Sequence, residues 1–159
     1  MNEKLVGKSK RLEVLLWSIA LPGFGQLLNK KYIKGVIFIL LEFIINVKGN
    51  FNVIIIDSFL GQTYKALLET NYLWLMFYPC LYFFAIWDAY KDAGGGKAPF
   101  AYLPLVFAAY MTTVGIIYSS VFSVGGIFIC PVWLPMLCMP IGLLIGAIIR
   151  WFILHNKSV

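Results

Sequence analysis

The chain has 159 residues, 61% of them hydrophobic and only 13% charged, where an ordinary soluble domain carries about a quarter charged residues. Its net charge of +6 is mostly lysine, eleven against two arginines; bidentate phosphate recognition favours arginine, so no nucleic-acid partner is expected. Together these point to an all-α integral membrane protein, with one membrane domain over residues 1–159 and no room for a second.

Lys4, Lys8, Lys10 and Arg11 open the chain. Glu13 leaves too short an apolar run for a secretion signal, so the N-terminus is read as uncleaved. The first apolar segment, Leu12–Leu28, contains Pro22, Gly23 and Gly25, followed by Gln26. Proline removes a backbone donor and glycine loosens the helix, so a turn is expected there and residues 12–31 form a re-entrant or interfacial hairpin. Charge supports the choice. Five spanning segments would divide the basic residues six against seven. A first segment that returns puts eleven on one side and leaves Lys48 and Lys65 on the other, as expected of cytoplasmic loops.

The next element, 32–48, has Lys34 at its start and Glu42 well inside ILLEFII. An ionisable group among apolar neighbours is costly, and Glu42 is a candidate ion or proton site as well as a candidate structural group. Residues 51–70 carry apolar positions at helical intervals and read as an outer amphipathic stretch. Tyr72 and Trp74 open a helix over 72–90 that Trp87 and Tyr90 close. At its end Asp88 can pair with Lys91 at i and i+3, or with Lys34, in an interfacial charge network. Gly94, Gly95 and Gly96 make a loop, and helices are expected over 100–124 and 127–152, separated by Gly125 and Gly126. The last contains Pro131, Pro135 and Pro140, which should kink it, and a Gly142/Gly146 pair that permits close helix packing.

Chemistry is hard to find. Cys80, Cys130 and Cys138 form no CxxC pair and behave as small hydrophobes. With His155 as the sole histidine there is no zinc motif and no histidine triad, and GGGKA is not a phosphate loop. No catalytic residue, metal or cofactor is expected.

The residues Pro22, Gly23, Gly25, Gln26, Asn29, Tyr32, Lys34 and Gly35, with Asp88-Ala89-Tyr90 downstream, resemble the hairpin of small bacterial TM2-like multi-pass membrane proteins. That resemblance covers about the first third of the chain and implies a membrane hairpin module without an activity. The resulting expectation is four transmembrane helices plus the hairpin (alternatively five spanning helices) in a bacterial plasma membrane, with both termini cytoplasmic. The function expected is that of a non-enzymatic accessory, scaffold or regulatory subunit. Its partners would be the lipid bilayer and another membrane protein or a second copy. The alternative is a small transporter or channel component using Glu42.

Overall fold

Proline and glycine decide where the long apolar runs stop being helix. The structure, a computed structural model, describes residues 3–156. Helix α1 (Glu3–Ala20) ends in a turn in which Gly23 takes φ +105°, and the short α2 (Phe24–Leu28) follows. Helix α3 (Tyr32–Gly49) stops at Asn50, which adopts the left-handed conformation that asparagine tolerates. The chain bends there by 62° into α4 (Phe51–Phe59). Gly61, at φ +72°, separates α4 from α5 (Thr63–Glu69). Helix α6 is a single turn, Tyr72–Leu75. Pro79 then lies at the start of α7 (Tyr78–Asp92), where its missing N–H does no harm. Pro104 plays the same part in α8 (Leu103–Ser119). A two-residue Gly125-Gly126 turn, both residues at positive φ, joins β1 (Ser123–Val124) to β2 (Ile127–Phe128) in an antiparallel pair. The last helix, α9 (Trp133–Asn156), runs through Pro140.

The helices build one all-α domain. Helices α8 and α9 make its most extensive pairing, and α7 lies against α8 and also against α1, α2 and α3. One buried cluster gathers Ile54, Ala66, Leu75, Ile116, Cys130 and Val132; a second holds Phe83, Ile86 and Ala108. The stretch 51–70 contributes to the first cluster from both of its helices, and Asp57, only 3% exposed, pairs with Lys65 at 3.0 Å. Basic residues gather near one end of the fold. Arg11 reaches Gly94 O, Lys34 reaches the end of α7, and Arg150 Nε donates to Pro99 O at 3.1 Å. Lys157, which entered the charge count, lies outside the described residues. The interior is narrow for so apolar a chain, and side chains such as Ile33 and Leu73 remain 79% and 80% exposed.

The expected set of four or five spanning helices is corrected by these boundaries. Among the described residues one helix, Trp133–Asn156, is long and apolar enough to cross a membrane; the count reaches two if the bent pair Tyr32–Gly49 and Phe51–Phe59 forms a single span. The reason is local. A run of about 20 apolar residues spans only as one continuous helix. The run 72–90 is instead broken between Leu75 and Tyr78, because a helix passing through Pro79 would clash with the Leu75 carbonyl. The run 100–124 keeps 17 helical residues. Helix α9 begins at Trp133 rather than at 127, after Pro131. The multi-pass plasma-membrane placement, the side assigned to the termini and the bilayer as partner rested on those spans and fall with them.

Candidate functional site: an apolar cleft beside Glu42

The motif residues of the N-terminal turn form a joint against the last turns of α7. Gly25 allows α2 to approach so closely that a Cβ there would overlap Ser18 Oγ and come within 2.8 Å of Ala89 Cβ. Gln26, fully buried, donates through Nε2 to Ala85 O at 2.9 Å and to Asp88 Oδ2 at 3.2 Å. Asn29 donates to Ala89 O at 2.8 Å. Lys34 Nζ completes the joint, 2.7 Å from Asp88 Oδ1 and 3.1 Å from Asp92 Oδ2. Those two carboxylates hold the lysine above its usual range, Asp88 most strongly. Lys91 is in no ion pair among the described residues; Asp92 stands where Lys91 was expected to help. Pro22 is fully buried, and Gly23 meets the backbone of Gly35 and Ile39 on α3. Gln26 Nε2, Asn29 Nδ2 and Lys34 Nζ all donate to α7 and so tie α2 and α3 to it, whereas Gln26 Oε1 is buried without a partner among the described residues; the arrangement is mechanical.

Glu42 lies about two turns beyond Lys34 on the same helix, α3. It is 8% exposed, and its Oε2 is buried without a hydrogen-bond partner among the described residues. Burial pushes its carboxyl from an ordinary 4.5 up to about 7, and the Tyr78 hydroxyl beside it pulls the other way. Tyr78 and Tyr82 occupy positions i and i+4 of α7, so their rings share a face and stack with centroids 5.6 Å apart. Phe51 of α4 closes on Tyr78 at 4.5 Å. Burial, and secondarily the charge on Glu42, pushes both phenols above their ordinary range.

The far side of this aromatic strip is a wall of a cleft of ≈ 410 Å³. The ends of α1 (Ile19, Ala20), one face of α4, the start of α7, Thr112 and Ile116 of α8, and the first turns of α9 line it. Among the described lining residues there is no charged side chain. Pro131 and Pro135 form part of this wall, whereas Pro140 does not. A larger groove of ≈ 610 Å³ between α7 and α8 is less enclosed and has walls from that pair of helices and the loop before α8. The remaining predicted residues, Gly142 and Gly146, face α8. A Cβ would come 2.7 Å from Ala108 Cα in the one case and 2.6 Å from Pro104 Cα in the other.

Sequence reading did not single out Tyr78, Tyr82 or Thr112. The i, i+4 tyrosine pair was a visible signal; Thr112 carried none. Comparison of the chain with family models, curated protein sequences and solved structures finds no match to any of them. The resemblance to TM2-like proteins is therefore corrected. No family supports it, and its motif residues tie an internally packed all-α domain together. The accessory-subunit function, with its transporter alternative, is corrected on the same grounds. It required a multi-helix membrane bundle whose hairpin and Gly142/Gly146 face were free for a partner, and both are consumed within the chain.

Proposed function

We propose that the chain is a non-catalytic binding protein for a small apolar molecule held in the cleft beside Tyr78 and Tyr82. The cleft itself carries the reading. Its ≈ 410 Å³ falls within the size range of ligand sites, and its walls are apolar with a few hydroxyls. We read the cleft as a binding rather than a catalytic site because its described lining residues include no charged side chain.

The test is equilibrium dialysis of radiolabelled 1-decanol against the purified chain. Because apolar side chains also lie on the outside, the reading depends on variants rather than on uptake alone. Met136 lines the cleft and is 50% exposed, so Met136→Trp obstructs it with little disturbance of the interior. Leu144, 63% exposed and not among the lining residues, provides the control Leu144→Trp. One saturable site is expected, weakened about tenfold or more in Met136→Trp, as expected when a ligand-sized pocket is blocked, and unchanged in Leu144→Trp. Equal binding by both variants would show that uptake is superficial and sink the proposal.

A further inference from the structure

Glu42 and the cleft are separated by a single residue. Tyr78 lines the cleft, and its hydroxyl donates to the Glu42 carboxyl. The Tyr78 ring packs on Phe51 and stacks on Tyr82, two further lining residues. Glu42 itself is not a lining residue and its Oε2 is buried, so the carboxyl stands behind the cleft without opening to it. No cation compensates a charge at this place. On α3, Lys34 is held by Asp88 and Asp92, and Lys48 makes no ion pair among the described residues. Of the helices packed against α3, α2 carries no titratable side chain, and α4 contributes Asp57, already paired with Lys65. Helix α6 contributes Tyr72, whose hydroxyl lies 3.5 Å from Ser119 Oγ. Helix α7 brings Tyr78 and Tyr82 toward the carboxyl, while its Asp88 and Asp92 face Lys34 and its Cys80 lines the other groove. With no counterion, the ionised form of Glu42 depends on the polarisability of its surroundings, and hydrocarbon is far less polarisable than water.

Resting on the binding reading above, we infer that occupation of the cleft and ionisation of Glu42 oppose one another, so that the site holds its apolar ligand while Glu42 is protonated and releases it as Glu42 ionises. Filling the cleft with hydrocarbon lowers the effective dielectric one residue away from the carboxyl and disfavours its charged form. Linkage makes the effect reciprocal: an occupant that strengthens proton binding at Glu42 is itself bound more strongly by the protonated chain. The coupling falls in the neutral range because burial already places this carboxyl at about 7. Since an occupant raises it further, affinity is full below that value, falls as pH rises through it, and levels off once the occupied form ionises as well. Each unit of further rise is a tenfold difference between the two plateaus.

The probe is 1-decanol, which carries no charge at either pH, with its Kd measured by equilibrium dialysis at about pH 5.5 and about pH 8.5 and circular dichroism checking the fold at each. Affinity of the unmodified chain should weaken about three- to tenfold between the two, and affinity of Glu42→Gln should stay constant. At pH 7, binding should also draw about 0.3 proton per ligand from solution, read by calorimetry in buffers of different ionisation enthalpy, and Glu42→Gln should draw none. His155 also titrates near this range; it lies in the last turn of α9, outside the lining residues, and is retained in Glu42→Gln. A constant affinity in the unmodified chain, or the same fall in both chains, overturns this inference and leaves the binding reading standing. If decanol does not bind the unmodified chain at either pH, the binding reading fails and takes the inference with it. Should Glu42→Gln fail to fold, His155→Gln decides: its proton uptake persists, or the inference is overturned.

Discussion

At the scale of single residues, Glu42 is the group whose charge matters most to the fold. Its carboxyl titrates near 4.5 when unfolded and at about 7 when folded, because burial disfavours the charged form. Below pH 4.5 both states hold the proton and Glu42 favours neither. Between 4.5 and 7 the unfolded chain releases it while the folded chain retains it, so stability falls as pH rises. Above 7 the buried charge costs on the order of 3 kcal/mol. Glu42→Gln keeps an acceptor for the Tyr78 hydroxyl and removes the titration. Chemical unfolding should find the variant equal to the parent at pH 4 and more stable by up to about 3 kcal/mol at pH 8, the gap opening between. A difference that does not vary with pH would mean that Glu42 is hydrated in the folded chain. The carboxylate itself was conspicuous in the sequence because it interrupts ILLEFII. Its partner was not, since Tyr78 is 36 positions away and nothing local ties the two together. The same holds at the joint, where Gln26 finds Ala85 O and Asp88 from a different helix.

Among the elements, close approach of helices governs. Gly142 and Gly146 let α9 lie directly on the backbone of α8, and Gly115 on α8 returns the favour against Pro135. Because the obstructing atoms at Gly142 are backbone, a methyl cannot be accommodated by a side-chain rotation. Gly142→Ala should therefore cost about 1–3 kcal/mol, the usual penalty for overfilling a packed interface. Gly7 is the matched control. It lies on the exposed face of α1, where an added methyl would meet nothing within 4 Å, so Gly7→Ala should stabilise by about 0.5–1 kcal/mol through helix propensity alone. Opposite signs from one substitution type would place the cost in packing; equal signs would remove the α8–α9 contact as its cause. Helical character and the glycine breaks were readable from spacing. The division of 72–90 was misjudged because apolarity was weighed over Pro79, whose effect on the Leu75 carbonyl is local and steric. The β1–β2 hairpin was missed since a Gly-Gly turn looks the same between helices as between strands.

For the molecule as a whole, the cleft is the place where distant parts of the chain depend on one another. Its walls come from α1, α4, α6, α7, α8 and α9 together, and it adjoins the cluster built on Ile54, Leu75 and Ile116. No segment owns enough of the wall to reveal it in sequence, which is why the cleft was illegible while the helices around it were not. The same shared ownership has a thermodynamic consequence. A molecule seated in the cleft contacts helices that must all be in place, so it binds the folded chain and has no site on the unfolded one. Linkage then requires stabilisation by RT ln(1 + [L]/Kd), about 2.7 kcal/mol at a hundredfold excess of free ligand over Kd. For a domain of this size that raises Tm by roughly 5–10 °C. Binding to the outer apolar side chains would act differently, because those surfaces are also available, and more abundant, in the unfolded chain; it would leave Tm unchanged or lower it. Thermal unfolding with rising 1-decanol should thus show an upward shift in the unmodified chain and in Leu144→Trp, and little or none in Met136→Trp. A shift shared by all three chains, or a fall in each, would separate stability from the cleft and return the apolar walls to a purely structural role.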